Sequence, residues 1–382
     1  MKRMRVLHCV PWLTSGGVER RRLEIARRLD PRSYEQRVVC LVAKPDLRAQ
    51  FEQAGVAVEA VGEPYGARAL WRVARAARAF RPAIVHGAVF EGVTMANVAA
   101  LASGTPHLVV EEIAYPIHRS WRGHLLLRLL AIRAQHCVAV SPAVYDYLTG
   151  PARIPVAKTR LIVNGVAEPT LLDSDERRAF RASLRLPEGA FVVGSVGRVY
   201  DKVKRFSDLI RAVARLLPTH PELYLLIVGD GADLASLKSL AQSLGIADRI
   251  RFAGYQNDVG PWLSAMDLFA LASDRESFGL VLVEAMFANL AIVATNVGGI
   301  PNIVVPEQTG LLVPAHDVLA IATAIERLKI DHALRDSFGR AGRKRAQACF
   351  GAERYVSDVD ALYRETLRST TSYADVPGAA RT

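Results

Sequence analysis

The sequence lacks the marks of a disulfide scaffold, a zinc mini-fold, a fibre or a membrane-spanning chain. Its 382 residues include only four cysteines, Cys9, Cys40, Cys137 and Cys349, with no C-x-x-C pair. The first three sit in apolar runs, where buried reduced thiols are expected, and a reducing, cytoplasmic compartment is inferred. Aromatic residues make up 7% of the chain, and 27 glycines and 19 prolines are too few for a low-complexity or collagenous composition. Long unbroken apolar runs are also missing. The stretch from Ala285 to Pro306 has no charge, but Asn289, Asn296, Gly298, Gly299, Pro301 and Asn302 interrupt it, so it reads as strands and loops rather than a spanning helix. The start, MKRMRVLHCVPWL, has the basic lead of a signal peptide, yet His8 and Pro11 break the apolar run and no small-residue cleavage site follows. It is read as the first strand. Helix-turn-helix, zinc-finger and RNP-like segments are absent, so nucleic acid is not an expected partner.

What remains is 51% hydrophobic and 23% charged, long enough for two globular domains. The net charge of +11 lies in the first half: up to Asn164 there are 24 Lys and Arg against 12 Asp and Glu, and the rest is nearly balanced. Such a block suits an acidic ligand or an anionic membrane surface, although a basic soluble face without a partner explains it equally well.

Short β-rich runs alternate with helical patterns, which predicts parallel sheets buried on both faces. In the first half the runs are Val6 to Val10, Arg37 to Val42, Ala83 to Gly87, His107 to Glu111 and Cys137 to Ser141, with helices over Val18 to Leu29, Ala67 to Phe80, Glu91 to Ala102 and Trp121 to Ala134. Val163 to Glu176 turns polar and reads as a linker. A second series follows, with strands at Phe191 to Gly197, Leu223 to Gly229, Ile250 to Gly254, Leu268 to Ser273 and Ala291 to Thr295, and helices at Ser207 to Leu217, Ala232 to Leu244 and Phe278 to Phe287. The expected fold is α/β, with two doubly wound, Rossmann-like domains over residues 1–166 and 167–351 facing across a cleft. A terminal helix is expected over 352–368 and a disordered tail over 369–382.

Four segments can carry chemistry. Thr14-Ser15-Gly16-Gly17-Val18-Glu19 follows the first strand and opens a helix, where glycine admits a phosphate to free N–H groups; a tight turn without a ligand would need glycine too. Gly197-Arg198, then Lys202, Lys204 and Arg205, follow a strand end, where cations could neutralise a diphosphate leaving group or simply form a solvated basic loop. Gly229-Asp230-Gly231 lacks the third glycine and later acid of a dinucleotide site and reads as a structural turn. Ser273 to Met286 is the most specific: Glu276 lies in a loop, a helix begins near Phe278 with the N–H groups of Gly279 and Leu280 free for an anion, and Glu284 lies about two turns in. Carboxylates accept paired bonds from vicinal hydroxyls, so this pattern suits a sugar nucleotide.

These residues resemble the retaining glycosyltransferases of the GT-B fold, in particular family 4, from Arg5 to about Leu367. The resemblance rests on GGVE near the start, IVH at Ile84 to His86, VSPAV at Val140 to Val144, VNGV at Val163 to Val166, GR with Lys204, the E-x7-E pair Glu276 and Glu284, NVGGIPNIV, and TGLLVP at Thr309 to Pro314. It implies that the first domain serves the acceptor and the second the nucleotide sugar, with the terminal helix crossing back to the first. Arg198 and Lys204 then match the pair that holds the donor diphosphate, Glu276 the acid facing the donor sugar, and Glu284 the acid binding ribose. Phe278, Gly279 and Leu280 match the backbone near sugar and phosphate, and Gly16 and Gly17 the loop closing over the diphosphate. Three positions depart from the pattern. After the fifth strand, where a histidine is common, the sequence is Val109-Val110-Glu111-Glu112-Ile113, with His118 several residues late; Asn302 replaces a common acid and Asn289 a common glycine.

The reading is transfer of a sugar from a UDP- or GDP-linked donor to a hydroxyl of a glycan or lipid-linked acceptor, with retention, in cell-surface polysaccharide, lipopolysaccharide or glycolipid synthesis. No cofactor and no metal is expected. In the family the leaving diphosphate takes the acceptor proton, and the D-x-D spellings at Asp173 to Asp175 and Asp358 to Asp360 read as surface acids. A cytoplasmic location, peripheral on the inner face of the membrane, is expected from the basic apolar segments Trp121 to Arg133 and Ala67 to Arg81, unless both merely cover a sheet. A sugar-nucleotide epimerase of the same architecture and a non-catalytic anion-binding or membrane-surface module are the alternatives.

Overall fold

The first strand, Met4–Cys9, lies inside a seven-stranded sheet ordered Ala57–Ala60, Tyr34–Cys40, Met4–Cys9, Ile84–Ala88, His107–Glu112, His136–Ala139, Thr159–Leu161. Every pairing in it is parallel. A second, six-stranded parallel sheet runs Ile250–Phe252, Leu223–Val228, Phe191–Val196, Leu268–Leu271, Ile292–Thr295, Gly310–Val313. Each sheet therefore winds outward in both directions from its first strand. The strand order reverses between Met4–Cys9 and Ile84–Ala88 in one sheet, and between Phe191–Val196 and Leu268–Leu271 in the other. Loops leaving the carboxyl ends of those strands border the crevice where open α/β sheets take their ligands. The computed structural model describes residues 3–14, 16–113 and 120–374, with side chains to Arg368.

Two compact units result: Met1–Gly165 with Ala352–Thr382, and Val166–Gly351. The terminal helix belongs to the first because of what it buries. Tyr355, Val356, Val359, Leu362 and Tyr363 share one core cluster with Val6, Ile84, Val109 and Val138 from the strands. At roughly 1.5 to 3 kcal/mol for each large apolar side chain removed from water, that seam anchors the helix strongly. The helix runs over Ala352–Ala374, so residues 369–374, expected to be disordered, are helical; 375–382 lie outside the described residues.

Other boundaries shift for local reasons. The linker ends earlier than its polar composition suggests, because Asp173 and Glu176 form a reciprocal capping box that starts a helix at Ser174–Ser183. The first D-x-D acid is thus a helix cap, while Asp175 pairs with Arg178. In the terminal helix Asp358 pairs with Arg354, and Asp360 accepts from Arg364 and, at 2.5 Å, from the buried Tyr34 hydroxyl, so Asp360 is more than a solvated surface acid. All four cysteines are free, and burial pushes the Cys40 and Cys137 thiols up to about 12.

The two basic apolar segments differ. Helix Ala67–Phe80 turns Ala69, Val73, Ala76, Ala77 and Phe80 into the core, as a sheet-covering helix does. Helix Trp121–Ala131 buries only Leu127 and Ala131, and leaves Trp121, Leu125, Leu126 and Leu129, with Ile132 just beyond, exposed to solvent. Arg122 lies over the Trp121 ring, and Arg133, two residues past the helix end, is exposed. Among the described residues no helix is long and apolar enough to cross a membrane.

Candidate active site

In the second unit the chain leaves the central strand Phe191–Val196 at Gly197 and Arg198, then forms a short helix, Asp201–Lys204, that the sequence pattern did not suggest. Asp201 fixes this turn, its backbone N–H bonding Asp233 at 2.7 Å and its carboxylate accepting from the Ser207 N–H at 2.8 Å. Arg205 adopts a left-handed conformation and spends its guanidinium on Asp208 through two bonds, at 2.8 and 2.9 Å. The cations that the segment offers are then Arg198, Lys202 and Lys204. Arg198 is exposed and makes no ion pair with a described residue.

The neighbouring strand Leu268–Leu271 delivers the other half. Its loop is pinned to the first by the Asp274 N–H, which donates to the Val203 carbonyl at 2.8 Å. That contact brings the Lys204 ammonium onto the Glu276 carboxylate in a half-buried ion pair. Residues 72 positions apart thus meet at the switch point. Behind them, the Gly299 N–H donates to the Glu276 carbonyl at 2.8 Å. Gly298, with φ +54°, approaches that same carbonyl so closely that a Cβ would sit 2.0 Å from its oxygen. The NVGGIP motif therefore buttresses the Glu276 loop. Gly229 does likewise for the Arg198 loop, because a Cβ there would sit 1.9 Å from the Gly197 carbonyl oxygen. The Gly229-Asp230-Gly231 turn is structural in this sense.

The helix after Glu276 starts at Leu280, not Phe278: Gly279 is left-handed at its cap, and the helix covers Leu280–Phe287. Glu284 thus lies little more than one turn in, not two. It is buried, on a helix whose Leu282 to Phe287 are all buried. The Phe278 ring packs edge-on against Phe350 at 5.9 Å, so only its backbone is free to meet a ligand. Asn289 holds a left-handed φ of 60°, which accounts for glycine being common there and for asparagine being tolerated. The Asn302 carbonyl accepts from Arg345 at 2.8 Å.

In the first unit Gly16 caps helix Gly17–Arg28 in an extended conformation. A Cβ on Gly16 would meet the Glu19 carboxylate at 2.4 Å, and Glu19 also accepts from the Thr14 hydroxyl at 3.2 Å. The small residue makes room for this local carboxylate, a role the phosphate argument did not foresee. His118 lies outside the described residues. Glu111, in the segment that lacks the histidine, is fully occupied: buried Arg21 and Arg22 both bond it, Arg22 at 2.7 Å. This ionic cluster was not visible in the sequence, because its members are brought together by sheet order and not by spacing.

Two family models match the chain, glycosyl transferases group 1 over residues 176–345 and glycosyl transferase 4-like domain over residues 16–165. Among curated relatives, N-acetyl-alpha-D-glucosaminyl L-malate synthase of Bacillus anthracis is 36% identical over 169 residues, 44% of each chain. The lipopolysaccharide core biosynthesis glycosyltransferase LpsE of Rhizobium meliloti is 37% identical over 173 residues, covering 45% of this chain and 49% of its own. The match thus spans about half the length of these relatives. Among solved structures, Anabaena HepE in complex with UDP-glucose superposes with a TM-score of 0.85 at 23% identity, over 95% of this chain and 100% of that one.

Proposed function

This chain belongs to the group 1 glycosyl transferases with the GT-B fold, and on that premise we propose that it transfers a sugar from a nucleotide-diphosphate sugar to a hydroxyl acceptor, with retention at the anomeric carbon. The observation that carries the site assignment is the meeting of Lys204 and Glu276 at the switch point of the second unit, with exposed Arg198 on the adjoining strand end. Departure of the diphosphate develops negative charge, which two positioned cations stabilise without reorganising. Arg198 and Lys204 take that role and require no metal for it. Glu276, held against Lys204, faces the sugar, and Glu284 takes the ribose hydroxyls. The backbone from Phe278 through Gly279 to Leu280 lies near the sugar and phosphate. Gly16 and Gly17 of the first unit are assigned to phosphate binding. The acceptor proton passes to the leaving diphosphate, so no separate base is needed.

The donor is UDP- or GDP-linked and no cofactor takes part. The name of one relative, a lipopolysaccharide core biosynthesis glycosyltransferase, supports a glycan or lipid-linked acceptor. A panel of sugar nucleotides, scored by thermal shift, tests the donor. A bound donor raises stability by mass action, about 2.7 kcal/mol at a hundred times its dissociation constant. One nucleotide class should raise Tm, and a panel without any shift would count against the reading.

The outward apolar face of helix Trp121–Ala131, with Arg122 on the helix and Arg133 two residues past its end, supports peripheral docking on an anionic inner membrane face. Sedimentation with vesicles rich in anionic lipid should show binding at low salt that weakens as salt rises, and Trp121→Ser with Leu125→Ser should abolish it. Absence of binding at low salt would leave the basic face without a membrane partner.

A further inference from the structure

Beneath the Gly16-Gly17 turn lies a cluster of charged and polar side chains taken almost entirely out of water. Arg21, on the first turns of helix Gly17–Arg28, donates through Nε to the Gly17 carbonyl at 3.3 Å and through Nη1 to Glu111 Oε1. Arg22 donates to Glu111 Oε2 at 2.7 Å and to His86 Nδ1 at 2.9 Å. The Tyr363 hydroxyl donates to that same Nδ1 at 2.7 Å. Arg21, Arg22, Glu111 and His86 each expose at most 4% of their side chains. The cluster joins four elements that are remote in sequence: the Gly17–Arg28 helix, strands Ile84–Ala88 and His107–Glu112, and the terminal helix.

Burying two guanidiniums on one carboxylate is costly, and replacing such a group with apolar residues is often neutral or stabilising. Stability alone is therefore a weak reason for its presence. What this arrangement does geometrically is specific. Arg21 donates to backbone of the glycine turn while its other end is held by Glu111. A lysine could not bridge both in this way, because it lacks the planar fork. Burial lowers the His86 ring to about 4, so it stays neutral at neutral pH and accepts from Arg22 and Tyr363 instead of repelling the guanidiniums.

We propose that Arg21, locked by Glu111, is a positioning residue that holds the first turn at Gly17, and so the Gly16-Gly17 turn, in its phosphate-binding form. The consequence for catalysis rests on the assignment of Gly16 and Gly17 to phosphate binding; the clamp itself does not.

The test uses Arg21→Met, with Arg21→Lys as the variant that keeps a charge beside Glu111. Two readouts are taken on the full chain. One is hydrogen exchange at the Arg20 amide, which bonds the Gly16 carbonyl at 3.3 Å. The other is KM and kcat with UDP-glucose, or with whichever sugar nucleotide the donor panel selects. The clamp predicts faster exchange at Arg20 than elsewhere in the first unit, donor KM raised about 5-fold or more, and kcat within about twofold, since a misplaced binding turn weakens uniform binding. Arg21→Lys should not restore KM. Unchanged Arg20 exchange in folded Arg21→Met and Arg21→Lys overturns the clamp. Faster exchange with unchanged KM keeps the clamp and removes Gly16 and Gly17 from phosphate binding.

Discussion

Replacing Arg198 with alanine should lower turnover about a hundredfold while leaving the fold intact. The side chain is exposed at the carboxyl end of the central strand of the second sheet, and no described residue pairs with it, so its removal takes nothing from the core. Its contribution falls on the transition state. Loss of one charged donor to a developing anion costs about 3 kcal/mol, which is roughly two orders of magnitude in rate. Steady-state turnover with Tm measured alongside decides it. Turnover within about twofold of wild type would remove Arg198 from the leaving-group site. Lys204 is expected to differ from Arg198 in one respect, since its ammonium already holds Glu276 and its loss would release that loop as well.

The second large effect separates the two glutamates. Glu276 is half-buried in the loop, paired with Lys204, and buttressed by Gly298 and Gly299, and in the proposed mechanism its carboxylate faces the reacting sugar. Glu284 is buried on the helix Leu280–Phe287, and its proposed role is to bind the donor's ribose. A contact that tightens as the sugar reacts changes kcat, whereas one made equally before and during reaction changes KM. Glu276→Gln should therefore mainly lower kcat. Glu284→Gln should mainly raise donor KM, about 10 to 100-fold for a charged hydrogen bond worth roughly 1.5 to 3 kcal/mol. The opposite pattern, or equal effects on both parameters in both variants, would show that the two roles are misassigned.

The apolar runs marked the inner strands closely because a parallel strand covered on both faces must be apolar throughout. The strands that escaped notice are edge strands. Ala57–Ala60 and Thr159–Leu161 border the first sheet, and Gly310–Val313 one side of the second. They are short, and Glu59 and Arg160 interrupt their pattern, as charges at sheet edges commonly do. The tiny pair Trp12–Leu13 and Val42–Ala43 is shorter still. At the candidate site, Arg198, Lys204, Glu276 and the glycine buttress were legible as motifs, because each must occupy a fixed offset from a strand end. The Lys204–Glu276 contact was not, since it depends on which strands become neighbours. The Arg21–Glu111 contact escaped for the same reason, and the outward face of helix Trp121–Ala131 because its composition alone suits a covering helix equally well.

The most direct test of the account is the fate of the sugar. Purified protein is incubated with the sugar nucleotide that the panel selects and a hydroxyl acceptor, and nucleoside diphosphate release is followed together with the anomeric configuration of the new glycoside by proton NMR. The account predicts one diphosphate released per glycoside formed, with the donor's anomeric configuration kept. An inverted glycoside would contradict the retaining mechanism, and an epimerised sugar nucleotide without diphosphate release would contradict sugar transfer itself.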